Sequence, residues 1–285
     1  MRLPWSAAVR ANNRGNALAE AGQEAAADAC YGEAARLAPD WAVPLFNLGL
    51  SHKLRGRWRE CLEVNLKACE LTPAAGEPCW WNLAIAATAL RDWATARRAW
   101  SAFGIPIPHG DGPIDLSLGG VPIRLTVHGS GEVVWCSGLD PARAQIMSIP
   151  LPRSGHHYHD VLLHDGTPHG HRKLGDEEVP VFDELAILEP STFVTHEVQV
   201  QCQSDGDIGA LAETVEAAGG AMEDWTDRVR MICDKCSAGL PHQHPDVDQP
   251  SWQSDRQLGL AFELGVDVQA LLRDWATSGR GRITH

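Results

Sequence analysis

The stretch MICDKCSAGLPHQHPDVD, Met231 to Asp248, places Cys233, Cys236, His242 and His244 within twelve residues. In a Cys-x-x-Cys pair the intervening turn aims both sulfurs at one point. Alternate residues of an extended segment share a side, so His242 and His244 can face the same ion. Four nitrogen and sulfur ligands in tetrahedral geometry describe a structural zinc site. The span is tight, and Cys202 or Asp246 can substitute for one histidine. A catalytic zinc would keep one position for water and a carboxylate base nearby, whereas these ligands fill the shell. The deaminase pattern of His-x-Glu with a proline before the Cys-x-x-Cys is missing. So is a thioredoxin-like setting for a redox pair.

A second concentration is SGHHYHDVLLHDGTPHGHRK, with His156, His157, His159, His164, His169 and His171 beside Asp160 and Asp165. His157 and His159 could share a strand face, with a neighbouring carboxylate orienting an imidazole. This is the place for a catalytic metal or acid–base centre if the chain is a metal-dependent, hydrolase-like enzyme. Against it, histidines in glycine-rich turns are usually solvated and inert. The sequence contains no phosphate loop, dinucleotide fingerprint, Gly-x-Ser-x-Gly elbow or His-Glu-x-x-His helix. The expectation is a protein that is not an enzyme.

These clusters sit in a chain of 285 residues, long enough for two or three domains. Its 44% hydrophobic and 21% charged content is ordinary for a globular protein. No run of eighteen apolar residues exists, and the first residues lack the apolar core of a signal peptide. A cytoplasmic location is therefore expected. Cysteines in such a compartment do not form a disulfide framework, and Cys30, Cys61, Cys69 and Cys79 read as small buried hydrophobes. The net charge of −13 is uneven. Residues 1–104 carry 12 Lys and Arg against 10 Asp and Glu, so residues 105–285 hold a net −15. Such an acidic part argues against binding a phosphate backbone. It would suit a basic partner, as in an inhibitor or immunity-type protein.

The first third is internally periodic. Gly15, Gly22, Ala27, Ala34 and Pro39 recur 34 residues later as Gly49, Gly56, Cys61, Ala68 and Pro73. A third copy follows with a one-residue slip, Asn82-Leu83-Ala84 standing for Asn47-Leu48-Gly49. Each copy predicts two helices joined at a glycine turn, with small residues permitting close approach and a proline ending the second helix. One such pair cannot cover its own apolar face, but about three stacked pairs can.

Over residues 8–104 this pattern resembles the tetratricopeptide repeat (TPR). The second copy matches best, with Leu45, Leu48, Gly49, His52, Gly56, Trp58, Cys61, Ala68 and Pro73 at the family's positions. In the third copy Arg91 replaces the turn glycine, a departure suited to a terminal repeat. The resemblance implies a helical stack whose concave face, lined by the first helix of each pair, holds a peptide or protein segment. By motif position that groove presents Asn12, Asn16, Phe46, Asn47, Leu50, Lys53, Trp81 and Asn82. The asparagines would bond an extended backbone, and Phe46 and Trp81 would anchor apolar side chains. Members that clamp a terminal carboxylate need cations; Asn12, Pro78 and Asn82 occupy those places here, which argues against that clamp.

After Gly104 the composition changes. IPIPHGDGP reads as a linker over 105–115. Short β-like runs follow: PIRLTV, GEVVWC, AQIMSI, DVLLH, VPVFDELAIL and THEVQVQC, separated by turns such as HDGTPHG. DIGALAETVEAAGG reads as a helix between THEVQVQC and DRVRMIC, a strand–helix–strand unit with Cys202 and Cys233 at strand ends. Two helices, about 254–264 and 266–277, close the chain. The expected layout is an α+β multidomain protein: a TPR-like unit at 1–104, then an acidic α+β domain at 116–285, β-rich to residue 202. The expected function is a zinc-stabilised adaptor that binds a protein or peptide and neither nucleic acid nor membrane. Its groove could also meet its own C-terminal domain.

Overall fold

A computed structural model describes residues 3–174, 177–226 and 252–284. The chain divides into two compact units, Met1–Leu116 and Ser117–His285.

The first unit is built from three helical hairpins: α1 (Leu3–Glu20) with α2 (Glu24–Leu37), α3 (Ala42–Leu54) with α4 (Trp58–Leu71), and α5 (Pro78–Ala89) with α6 (Trp93–Phe103). The hairpin turns need a left-handed residue. Gly22 (φ 70°) and Gly56 (φ 65°) supply it in the first two, and Arg91 (φ 58°) takes the same conformation in the third. Small residues at the helix contacts, among them Ala27, Ala34, Cys61, Ala68 and Ala96, are wholly or almost wholly buried. The glycine of the second hairpin is required by proximity: a Cβ on Gly49 would run into the amide of Asn65. Asp92 caps α6 by accepting from the Thr95 N–H at 3.1 Å, and the left-handed Gly104 ends that helix. The proline-rich segment that follows belongs to this unit. The Arg97 guanidinium donates to the carbonyls of Pro108 (3.3 Å), Gly112 (2.6 Å) and Pro113 (3.4 Å), and Ile114 is buried.

The second unit begins with five strands, β1 (Gly119–Arg124), β2 (Val133–Asp140), β3 (Arg143–Ile146), β4 (Val161–Leu174) and β5 (Glu177–Glu189). They follow one another around a closed barrel. An odd number of meandering strands leaves the closing pair parallel, and Ile123 of β1 pairs with Phe182 of β5 in that sense. Ile123, Leu125, Val134, Cys136, Ala144, Ile146 and Leu162 fill the interior. β4 runs well beyond DVLLH: the HDGTPHG expected as a turn lies within it, and irregularities between Leu163 and His171 absorb the glycines and proline.

After the barrel come β6 (Phe193–Cys202), α7 (Asp205–Ala217), β7 (Ala221–Asp224), β8 (Asp255–Glu263), α8 (Val268–Thr277) and β9 (Gly281–Ile283). The sheet order is β7-β8-β6-β9, with every neighbouring pair antiparallel. Among the described residues this is a ferredoxin-like β-α-β-β-α-β order, in which β8 inserts between two strands joined by a helix. Val198, Val200, Leu258, Leu260 and Phe262 of the sheet pack with Leu211, Val215, Leu272 and Trp275 of the two helices. At one end the opposite face is covered by Ile149, Leu151 and Tyr158 from the barrel, packed with Trp225 and Ala261.

Two expectations are corrected here. Residues 254–264 are not a helix. Arg256, Leu258, Leu260 and Phe262 share one face at strand period, and Leu264 is exposed beyond the strand end. The strand after α7 is Ala221–Asp224, and it does not adjoin β6; both pair with β8. The run DRVRMIC, including Cys233, lies outside the described residues.

Candidate functional site

The first helices of the first two hairpins are stitched together by amides. Asn47 Nδ2 on α3 donates to Asn12 Oδ1 at 3.0 Å and to Asn16 Oδ1 at 3.3 Å, both on α1. The hydroxyl of Tyr31, from α2, donates to the same Asn16 oxygen at 3.1 Å. Asn12 is buried by this arrangement and Asn16 remains exposed. Asn47 uses its amide hydrogens on α1, so its carbonyl oxygen is its remaining hydrogen-bonding group.

Along α3, Val43, Phe46, Leu50 and Leu54 recur at three- and four-residue steps, so they form one stripe beside Asn47. Phe46 and Leu50 are half-buried, Val43 is exposed and Leu54 is 63% exposed. Trp5, 54% exposed, sits on Trp41 with ring centroids 5.0 Å apart. Trp5, Trp41 and Val43 were not singled out from the sequence. The signal was present: an apolar stripe on the helix face that packing within the hairpin does not use.

The other residues assigned to the groove are differently placed. Lys53 and Asn82 are buried. Trp81 is half-buried, and its ring meets Trp100 (4.8 Å) and Phe103 (4.9 Å) of its own hairpin edge-on. The apolar and amide features thus concentrate on α1 and α3, while α5 is covered along most of its length.

Cys233, Cys236, His242, His244 and the alternative ligand Asp246 lie outside the described residues. Cys202 is buried at the end of β6, its thiol 3.7 Å from the Ser254 carbonyl. Among the described residues no group of three or more His, Cys, Asp or Glu side chains could hold a metal ion.

Five of the six histidines of 156–171 have separate partners. His156 is buried, with Nε2 2.7 Å from Glu184 Oε1 and Nδ1 2.9 Å from the Ser154 carbonyl. His159, at φ 71°, stacks on Tyr158 with centroids 3.9 Å apart, and burial pushes its pKa down. His164 is buried beside Phe182, and burial lowers its pKa too. His169 Nδ1 meets Asp183 Oδ2 at 2.8 Å, the carboxylate that also receives the Arg124 fork. His157 is 4.0 Å from Asp160, and His171 is exposed.

The first unit is a stack of helical hairpins of about 34 residues. Solved structures similar to this part of the chain include TPR domains. One is the first TPR of Spaghetti (RPAP3) bound to an HSP90 peptide, at 16% identity over 34% of this chain and 77% of that one, with a TM-score of 0.33. Another is the Sgt2 TPR domain from Aspergillus fumigatus, at 21% identity over 33% of this chain, TM-score 0.31; the match spans 62% of that domain. A third is the N-terminal domain of stress-induced protein-1 from C. elegans, at 22% identity, covering 36% of this chain and 89% of that chain, TM-score 0.33. No family model and no curated protein matches the sequence. Among the described residues no helix is long and apolar enough to cross a membrane.

Proposed function

We propose that this chain is an interaction protein whose helical unit holds an extended segment of a partner protein along α1 and α3. The observation that carries the reading is the stripe Val43, Phe46, Leu50 and Leu54, left open beside the Asn12–Asn47–Asn16 ladder. Burying apolar side chains on the stripe supplies affinity, and the amides meet backbone groups that apolar contact alone would leave unsatisfied. Nothing in this arrangement requires a terminal carboxylate, so an internal segment is the expected ligand.

Peptides selected from a random display library on the full chain test this. A selected peptide should bind at least about tenfold more weakly to Asn47→Ala and to Leu50→Asp, and equally well to Trp252→Ala in the second unit. If no peptide is selected, or if affinity ignores Asn47 and Leu50, the reading falls.

The acidic second unit carries a structural zinc in the same reading, held by Cys233, Cys236, His242 and His244. Its support is the ligand spacing in the sequence. Protein purified without a histidine tag should retain one zinc per chain and release it only on unfolding. Metal-free protein with unchanged stability would remove the zinc from this account.

A further inference from the structure

The second unit contains a concavity of about 570 Å³, within the usual range for small-molecule sites. Three stretches distant in sequence form its walls: the end of β6 with Gln203, residues 252–254 before β8, and the turn from α8 into β9. The first two are laced together, since the Cys202 N–H donates to the Ser254 carbonyl at 3.0 Å. Gly279 and Gly281 leave bare backbone on the third wall, against which a flat molecule can lie. The indole of Trp252 belongs to the second wall, 40% exposed and yet fixed. The Arg256 guanidinium lies over it, 4.3 Å from the ring centroid, and is held in turn by Asp224 at 3.2 Å and Asp205 at 3.5 Å. Arg256 does not line the concavity, so Trp252 offers it the part of the ring that the cation leaves uncovered. Arg282 on β9 also lines the concavity; it pairs with Gln201 of β6 and is exposed. The Gln201 amide donates to Asp255 at 3.1 Å, and among the described residues no carboxylate pairs with Arg282.

We propose that this concavity binds a small planar aromatic carboxylate, with its ring stacked on Trp252 and its carboxylate on the Arg282 guanidinium. The ring is specified by an indole that is left in water on a rigid mount. Covering it with another flat apolar surface releases water without having to order a mobile side chain. The anionic group is specified by the guanidinium, whose planar fork matches a carboxylate with two parallel N–H···O bonds. The Gln203 side-chain amide, on the first wall, supplies a donor and an acceptor for a polar edge of the ring. Residues 105–285 carry a net −15, which opposes a polyphosphate and favours a ligand with a single negative charge. The site is built wholly from the second unit and does not depend on what the helical groove holds.

The test is a ligand-observed NMR titration of the full chain with three probes: indole-3-carboxylate, its neutral analogue indole-3-carboxamide, and the non-aromatic cyclohexanecarboxylate. Indole-3-carboxylate should bind saturably at one site, and the other two at least about tenfold more weakly. In Arg282→Gln the carboxylate should lose its advantage over the carboxamide. In Trp252→Leu the indole ring should lose its advantage over cyclohexane. Both residues are exposed, so neither change empties a core, and unchanged thermal unfolding verifies the fold. The proposal is overturned if indole-3-carboxylate shows no saturable binding up to about 10 mM, or if the three probes bind alike. It is overturned equally if either folded variant keeps the wild-type ranking. The wild-type titrations decide the first two outcomes even if a variant fails to fold.

Discussion

Nε2 of His156 lies 2.7 Å from Oε1 of Glu184, with both side chains shut away from solvent. The other carboxylate oxygen accepts the backbone N–H groups of Thr126 (2.9 Å) and Val127 (3.0 Å). One buried pair therefore fastens the 126–127 turn, β5 and the 154–156 turn of the barrel. Removing the imidazole leaves a buried carboxylate short of a partner. His156→Ala should cost the second unit about 3 kcal/mol in chemical denaturation. A loss near zero would mean that water or a neighbour replaces the ring.

The same pair predicts a pH dependence. Burial alone would lower the His156 pKa, but the hydrogen bond and charge of Glu184, the Ser154 carbonyl and the charge of Asp160 outweigh it and raise the value above 6.5. The ring of His128, 5.4 Å away, is the other titratable group facing it. A histidine whose pKa rises on folding contributes stability that is complete below its unfolded pKa. That contribution fades as pH climbs through the folded value. The stability advantage of wild type over His156→Gln should therefore shrink from about pH 6 upward. An advantage that stays constant or grows across that range would contradict the linkage.

Two glycines in neighbouring hairpins should respond oppositely to the same substitution. Gly49 lies against Asn65, so Gly49→Ala must push helices apart and should cost about 1–3 kcal/mol. Gly32, inside α2, has nothing within 4 Å of where a Cβ would stand. Gly32→Ala should stabilise the helical unit by up to about 1 kcal/mol. Thermal unfolding of both variants checks the pair, and equal shifts would sink the packing argument.

Arg97 holds the segment after α6 by backbone carbonyls alone. Without it those contacts vanish while α6 keeps its Asp92 cap. Arg97→Ala should speed proteolytic cleavage within 105–113 and leave the helical content unchanged. An unaltered cleavage rate would show that the Arg97 contacts do not hold the segment.

On β8, Gly259 is overlain by the Trp225 ring, and a Cβ there would collide with it. Gly259→Ala should destabilise the second unit by about 1–3 kcal/mol. Because the cost comes through one neighbour, Gly259→Ala with Trp225→Ala should cost less than the sum of the single changes. Strict additivity would refute the contact.

The helical hairpins were legible because their signals are local. The 34-residue recurrence of Gly15 and Gly49, and the prolines after each second helix, need no distant partner to be read. The Arg91 turn shows the limit, since an arginine in a left-handed turn is visible only through its neighbours' glycines. β8 was misread because Leu260 and Leu264, four apart, satisfy helical and strand spacing alike, and pairing with β6 and β7 separates the two readings. Asn12, Asn16, Phe46, Asn47 and Leu50 were found by motif position. The burial of Lys53 and Asn82 and the turn of Trp81 toward Trp100 depend on contacts that spacing does not encode.

Interleaving β8 between β6 and β7 sets the order in which the chain can mature during synthesis. The three hairpins and the barrel use contiguous stretches, complete at residues 116 and 189, so each can close as soon as it leaves the ribosome. β6, α7 and β7 must wait for residues 255–263, and Val198 and Val200 lack their strand partner until then. In that interval the nascent chain displays apolar strands with no partner to pair with. This is the stage at which a chaperone would act, and a truncation before Asp255 would leave an aggregation-prone product.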